Sequence, residues 1–335
     1  MSTRAAELVA QSHKVPRTPR LGFLGVGWIG RSRLDAVRAS GAAEVAAVAD
    51  PAAPDALDSY EELLAHDLDG VVIATPSALH AEQAIAALER GLAVFCQKPL
   101  GRTAVEAAAV VDAARAADRL LGVDFCYRHV AGIGEIRRLV RDGALGSVRT
   151  LDLVFHNAYG PDKPWFYDRK LSGGGCVIDL GTHLVDLALW LLDWPPVERV
   201  DARVLTLCGS EPQTPAHQAV EDYAVAEVGL RGGIGVRIAC SWHLPIGRDA
   251  QIEAHVYGTR GGAHFENVGG SFYEFTTYVV RGREVQVLAT PPDDWGGRAI
   301  VAWARRLAHE SGFDDEATHA VDVARVVDAI YGDAQ

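Results

Sequence analysis

Lys98 stands between Gln97 and Pro99, directly after the apolar run Leu92-Ala93-Val94-Phe95. That run reads as a buried parallel strand. In an open α/β sheet, ligands bind beyond the carboxyl ends of the strands, so Lys98 is a candidate for chemistry. The competing reading is a solvated loop lysine before a turn proline. A second group lies further on. Asp179, His183 and Asp186 are spaced four and three residues apart within 176–192, a stretch that reads as one helix. This spacing puts two carboxylates and an imidazole on roughly one face, amid Val177, Ile178, Leu180, Leu184, Val185 and Leu187. Metal ligation is the rival reading, and no further His/Cys cluster completes a set.

A third constellation suits a dinucleotide. Gly25-Val26-Gly27-Trp28-Ile29-Gly30 is a G-x-G-x-x-G that follows the short strand Leu21-Gly22-Phe23-Leu24 and opens a helix. Gly25 permits the tight turn, Gly27 lets backbone approach a pyrophosphate, and Gly30 lets helix and strand pack closely. The phosphate then rests on the helix N-terminus. A second strand, Val45-Ala46-Ala47-Val48-Ala49, ends in Asp50, where a carboxylate accepts from ribose hydroxyls. That carboxylate repels a 2′-phosphate, and Pro51-Ala52-Ala53 supplies no arginine or serine, so NAD is preferred to NADP.

These groups require a scaffold, and the intervening sequence supplies it. Ser59-Tyr60-Glu61-Glu62 and residues 103–106 are capping boxes. Gly70-Val71-Val72-Ile73-Ala74 is a central strand. Thr75-Pro76-Ser77 starts a helix whose first turn borders the cofactor and carries His80, a residue that also reads as structural. Leu120-Leu121-Gly122-Val123 is a further strand, and the βαβ alternation predicts a doubly wound parallel sheet. After Gly146 the pattern changes to strand-like stretches at 148–155, 199–207, 223–230, 235–242, 251–257, 263–265 and 273–280, with closing helices at 297–309 and 316–331. This predicts a large, mostly antiparallel, open-faced sheet in an α+β domain. The expected division is a disordered leader at 1–20, a Rossmann domain at 21–125, and a substrate-binding and oligomerisation domain at 126–335.

Composition bounds the rest. A chain of 335 residues suits two domains. The formal net charge of −12 disfavours nucleic acid or an anionic membrane as partner. Cys96, Cys126, Cys176, Cys208 and Cys240 are scattered, with no CxxC pair, and read as reduced. No run is read as approaching membrane-spanning length, and residues 1–20 lack a signal-peptide core, so a cytoplasmic protein is expected.

The chain resembles the Gfo/Idh/MocA family, which includes glucose–fructose oxidoreductase and inositol dehydrogenase. The resemblance rests on Gly22-Phe23-Leu24-Gly25-Val26-Gly27, Ala74-Thr75-Pro76-Ser77-Ala78-Leu79-His80, Gln97-Lys98-Pro99-Leu100, Tyr127-Arg128, and above all the stretch 173–186. It implies that Asp179 and His183 face a nicotinamide together with Lys98, leaving Asp186 a supporting acid. It also implies a cofactor-binding set of Gly25, Gly27, Trp28, Ile29, Gly30, Asp50, Thr75, Pro76, His80, Gln97 and Lys98, and a homodimer or homotetramer. The family usually has glutamate at position 97, contacting the nicotinamide ribose. Gln97 keeps an oxygen but loses a negative charge beside Lys98.

The expected reaction is hydride transfer to or from a secondary alcohol or ketone of a sugar, sugar derivative or cyclitol. His183 is the expected general base, because imidazole titrates near neutrality; Lys98 as base is the alternative. The substrate set adds Arg128, His156, Asn157, Trp165 and Arg169, since aromatic faces cover the C–H side of a sugar while polar groups take its hydroxyls. The rival function is a redox-neutral lyase or glycosidase acting through a transient keto-sugar with retained NAD.

Overall fold

The computed structural model describes residues 17–207 and 220–332. The expected leader lies almost wholly outside the described residues, as does Cys208. The first layer alternates strand and helix: β1 (Arg20–Leu24), α1 (Trp28–Ser40), β2 (Glu44–Ala49), α2 (Tyr60–Leu64), β3 (Gly70–Ile73), α3 (Ser77–Glu89), β4 (Ala93–Cys96), α4 (Ala104–Ala117) and β5 (Leu121–Val123). The strands form a parallel sheet in the order β2-β1-β3-β4-β5. The order reverses between β1 and β3, which opens a crevice at their carboxyl ends. Both N-caps form: Ser59 Oγ accepts from the Glu62 N–H and Thr103 Oγ1 from the Glu106 N–H, while Glu62 and Glu106 reach back to the Asp58 and Arg102 N–H groups, one residue before each cap.

The second layer begins with α5 (Ala131–Arg141), whose strong amphipathic pattern the sequence reading passed over. It continues through β6 (Val148–Asn157), α6 (Arg169–Ser172), α7 (Thr182–Leu191) and β7 (Val197–Leu205). Then come β8 (Tyr223–Leu230), β9 (Ile234–Ser241), β10 (Ala250–Gly258), β11 (Gly262–Asn267), β12 (Phe275–Arg281) and β13 (Glu284–Ala289). The eight strands run β13-β12-β11-β10-β6-β9-β8-β7, antiparallel except for β6 beside β9. β13 was not anticipated, although Glu284-Val285-Gln286-Val287 alternates polar and apolar residues; it is an exposed strand at the sheet edge. Strand periodicity divides this sheet sharply. Leu151, Leu153 and Phe155 of β6 are buried on the inner face, while Asp152, Val154 and His156 lie on the outer one.

Two helices end the described chain, α8 (Arg298–Leu307) and α9 (His319–Tyr331). α8 returns to the first sheet. Ile300, Trp303, Ala304 and Leu307 join Leu21, Phe23, Leu34, Val72 and Phe95 in one apolar cluster. The Trp303 ring lies 5.5 Å from that of Phe95. The division at residue 125 therefore does not follow the packing: the first core is closed by residues far down the chain. One helical stretch, Arg169–Leu191, is long and apolar enough by composition to cross a membrane, contrary to expectation, and 89% of its apolar window is buried inside the fold.

Candidate active site

The stretch expected to be one regular helix is not. Val177–Gly181 forms a π-helical turn, and α7 begins only at Thr182. Such turns widen the backbone ladder and free carbonyl groups. The Asp179 carbonyl accepts from Lys98 Nζ at 2.6 Å, and Asp179 Oδ1 accepts from the same ammonium at 2.9 Å. Asp179 Oδ2 accepts from the indole N–H of Trp242 at 3.2 Å. Lys98, from the end of β4, and Asp179, from the second layer, thus meet across the crevice, with Trp242 fixing the carboxylate. Trp242 also carries the aromatic loop, its ring 5.6 Å from Tyr167 and 6.3 Å from Phe166.

The turn is held from below by Glu221. Its Oε1 accepts from the Gly175 and Val177 N–H groups and from the Tyr331 hydroxyl. A Cβ on Gly175 would lie 1.9 Å from the Glu221 carbonyl oxygen, so glycine is required there by close approach.

His183 is buried under an aromatic wall, its ring 5.0 Å from Tyr127 and 6.4 Å from Phe155. Burial, then the positive charges of Lys98 and Arg33, push its pKa well below the usual histidine value. The ring is therefore neutral at physiological pH and able to accept a proton. Asp186 does not share this surrounding. Its buried carboxylate takes a fork of hydrogen bonds from Arg128, with Nε contacts of 2.9 and 3.1 Å and a shorter one from Nη2. Burial raises the Asp186 pKa, against the pull of Arg128.

This geometry gives several of the expected contact residues partners within the protein. Arg128, assigned to substrate, is committed to Asp186, with its guanidinium over Phe125 and Trp194 at 4.7 and 5.1 Å. His156, also assigned to substrate, lies on the outer face of the sheet. There Nδ1 is 2.7 Å from Ser241 Oγ, and its ring stacks on Tyr223. The two-residue period of β6 puts it opposite to Phe155 and hence to His183. His80, assigned to cofactor, is buried with Nδ1 2.7 Å from the Pro99 carbonyl and Nε2 2.7 Å from that of Thr75. The ring lies between the β3–α3 loop and the lysine corner. The ring donates to both carbonyls only as the cation, a form that burial opposes.

The remaining assignments fall as follows. Asn157 has the inner-face parity, and its Oδ1 is buried without a hydrogen-bond partner. Trp165 stacks on Phe166 at 3.8 Å. Arg169 lies over Tyr331 at 5.5 Å, with Nη2 buried and unpartnered. Thr75 Oγ1 donates to Gln83 Oε1, and Pro76 caps α3.

The glycine loop fits a dinucleotide. A Cβ on Gly27 would meet nothing within 4 Å, so that backbone is open to a ligand, whereas one on Gly30 would lie 2.2 Å from the Gly25 carbonyl. Gly25 takes the left-handed φ of 82°. No side chain caps α1, so its first N–H groups remain for an anion. Ile29 lies in the first turn of α1, and Trp28 is exposed at its mouth, edge-on to Tyr273 at 6.4 Å. Asp50 is anchored by the Val26 and Ala52 N–H groups at 2.7 and 2.9 Å.

Gln97 shows why it is not glutamate. Its Nε2 donates to Asp124 Oδ2 at 2.5 Å, and Arg33 Nε donates to that oxygen at 2.6 Å. Arg33 and Asp124 are 3% and 1% exposed, and Asp124 Oδ1 is buried without a hydrogen-bond partner. Burial works against the Arg33 cation, yet Asp124 holds its pKa above the usual value. The negative charge that the sequence reading found missing at 97 stands one hydrogen bond away. Asp124, Arg33 and Trp242 were all overlooked. The available signals were an acid directly after an apolar strand and an arginine beside Leu34 on the buried stripe of α1.

Two layers, an open glycine loop and a lysine–aspartate bridge at the strand ends define a dinucleotide-binding oxidoreductase architecture. Residues 20–125 match the oxidoreductase family with NAD-binding Rossmann fold, and residues 133–264 match the GFO/IDH/MocA C-terminal domain. The chain belongs to the Gfo/Idh/MocA family. It is similar to D-xylose 1-dehydrogenase (NADP(+)) 2 of Haloferax volcanii, 32% identical over 94% of this chain and 97% of that protein. It is 29% identical to D-glucoside 3-dehydrogenase of Escherichia coli over 62% of this chain and 61% of that protein. With the rhizopine catabolism protein MocA of Rhizobium meliloti, at 63% of its length, this chain spans about three-fifths of these two curated relatives. Among solved structures, GenD2 from gentamicin A biosynthesis, in complex with NAD, superposes with a TM-score of 0.77 at 25% identity, covering 97% of both chains. The redox-neutral lyase reading finds no support among these relatives.

Proposed function

We propose that this protein is a nicotinamide-dinucleotide-dependent dehydrogenase or reductase acting on a secondary alcohol or ketone of a sugar, sugar derivative or cyclitol. The observation that carries the reading is the Lys98–Asp179 bridge beside a neutral His183, at the carboxyl ends of a dinucleotide-type sheet. When bound, the nicotinamide supplies the hydride acceptor or donor, chemistry that belongs to the cofactor. Lys98 Nζ donates to the reacting oxygen and stabilises alkoxide charge as it develops. His183 takes the hydroxyl proton in the oxidising direction and returns it in the other. Asp179, held by Trp242, orients Lys98 and accepts from a neighbouring substrate hydroxyl. Asn157, Trp165 and Arg169 are the remaining substrate candidates.

NAD is the proposed cofactor in preference to NADP. Asp50 stands at the end of β2, and no cation follows in Pro51-Ala52-Ala53 to receive a 2′-phosphate. Self-association into a homodimer or homotetramer is proposed from the family resemblance. The described cysteines are free and buried, which suits a reducing, cytoplasmic setting. The test is reduction of NAD and NADP, followed at 340 nm, across inositols, free sugars, glycosides and nucleotide-sugars, with Lys98→Ala as control. Turnover lost in Lys98→Ala supports the reading; equal turnover in both proteins refutes the site.

A further inference from the structure

The outer face of the large sheet carries a second chemical cluster, remote from the crevice. β10 and β11 pair so that His255 stands directly opposite His264, and Glu266, two residues on, projects from the same face. The ligand atoms of these three side chains lie within 4.8 Å of one another. The two imidazoles stack at 4.4 Å, which fixes their planes. His255 Nε2 lies 3.2 Å from Glu266 Oε1 but makes no hydrogen bond, and that nitrogen is buried. The other nitrogen, Nδ1, lies 3.4 Å from the Tyr257 hydroxyl. With Nδ1–H directed at that oxygen, the Nε2 lone pair faces the cluster, the arrangement by which outer groups orient ligating histidines.

Neighbouring carboxylates on this face are already paired. Asp152, opposite His255, takes both Arg237 nitrogens at 3.1 and 3.0 Å. Glu253, opposite Glu266, accepts from Gln251 at 2.8 Å and lies 3.6 Å from Arg248.

We infer that His255, His264 and Glu266 form a divalent transition-metal site with three protein ligands and a water-filled fourth position. Two imidazoles and a carboxylate are a borderline donor set that suits Zn²⁺ and disfavours Mg²⁺ or Ca²⁺. A tetrahedral zinc needs donors about 3.3 Å apart, from bonds of roughly 2.0–2.1 Å. Small side-chain rotations within the present spread reach that spacing.

The test is calorimetric titration of the chelator-stripped full chain with Zn²⁺, with Co²⁺ as a spectroscopic probe of tetrahedral geometry. One ion should bind per chain with a dissociation constant on the order of micromolar or below, and Co²⁺ should develop visible d–d absorption. His264→Ala and His255→Gln should each weaken Zn²⁺ binding by about 100-fold and abolish the Co²⁺ band. Glu266→Gln should weaken it by at least about 10-fold and Tyr257→Phe by about 10-fold. His66→Ala, an exposed histidine of the first layer, serves as control and should change nothing. Glu266→Gln retains side-chain shape, so it decides the matter if a histidine variant misfolds. Absence of one-to-one binding in the wild type, or binding indifferent to all four substitutions, overturns the site.

Discussion

Replacing Gln97 with glutamate sets a carboxylate oxygen where an amide nitrogen now donates to Asp124 at 2.5 Å. Two unit charges 4 Å apart at an effective dielectric of 20 repel by about 4 kcal/mol. Arg33 already bonds the shared oxygen and offsets part of this. The cheaper response is for the pair to keep one proton, as two carboxylates sharing a site do. A pKa raised by about two units costs close to 3 kcal/mol wherever both groups would otherwise be ionised. The sign follows. An acid whose folded pKa exceeds its unfolded value destabilises the protein above the folded pKa, and the deficit vanishes as pH falls below the unfolded value. Gln97→Glu should therefore melt about 5 °C or more below wild type at pH 8, with the gap narrowed to roughly a third at pH 5 and closing below about pH 4. Asp124→Asn alone leaves Arg33 buried without a counter-ion and should also destabilise, by about 3–5 kcal/mol. The double variant moves the charge from 124 to 97 and should recover most of the loss, with a coupling above about 2 kcal/mol in the double-mutant cycle. Melts at both pH values, with NAD titration of each folded variant, provide the measurement. Independent, additive losses and a pH-insensitive Gln97→Glu would refute the argument.

Trp242→Phe keeps the ring but removes the donor to Asp179; kcat should fall about 10-fold with stability nearly unchanged, which steady-state kinetics and melting separate. The depressed pKa of His183 predicts that kcat/KM stays level down through pH 6.5, with its acid limb below the ordinary histidine range and absent from residual His183→Asn activity. The same burial makes folding stability decline as pH drops below about 6.5, because the unfolded chain then takes up a proton that the folded ring refuses. Arg128→Ala should cost about 3–5 kcal/mol by stranding the Asp186 carboxylate, an effect read in melting and not in substrate KM. Gly175→Ala, driving a methyl into the Glu221 carbonyl, should destabilise by several kcal/mol or prevent folding, as circular dichroism would report.

Much of this architecture is written in local pattern. The glycine loop, the wholly apolar β3 and β4, and the N-caps at Ser59 and Thr103 each follow from neighbouring residues, and each forms as expected. Lys98 drew notice because strand ends carry ligands in such sheets. What escaped depends on partners far apart in the chain. Gln97 reads as a lost charge until Asp124 is seen beside it, 27 positions later. Arg128 reads as a free cation until Asp186 meets it, 58 positions on. Cys176 and Cys240, scattered in sequence, lie with their sulfurs 3.9 Å apart. The π-helical turn escaped for another reason: a Gly-flanked, apolar stretch has ordinary helical periodicity, and the widening comes from tertiary demands by Glu221 and Lys98. The outer-face position of His156 escaped because strand parity cannot be assigned until the buried face is known.

The return of α8 to the first sheet bears on the order in which the molecule can be made. Ribosomes deliver the chain from the amino end, at roughly 5–20 residues per second, and domains ordinarily fold as they emerge. Here the nucleotide layer is fully translated by about residue 125, yet the cover over Phe23, Val72 and Phe95 arrives only with Ile300, Trp303 and Leu307. For the intervening span the nascent sheet carries one bare apolar face. A fragment ending at residue 125 should therefore be prone to aggregation, while one in which residues 298–307 are supplied through a short linker should be better behaved. Newborn chains are expected to lean on chaperones until the last turns of α8 clear the exit tunnel, and the two halves of the molecule then mature together.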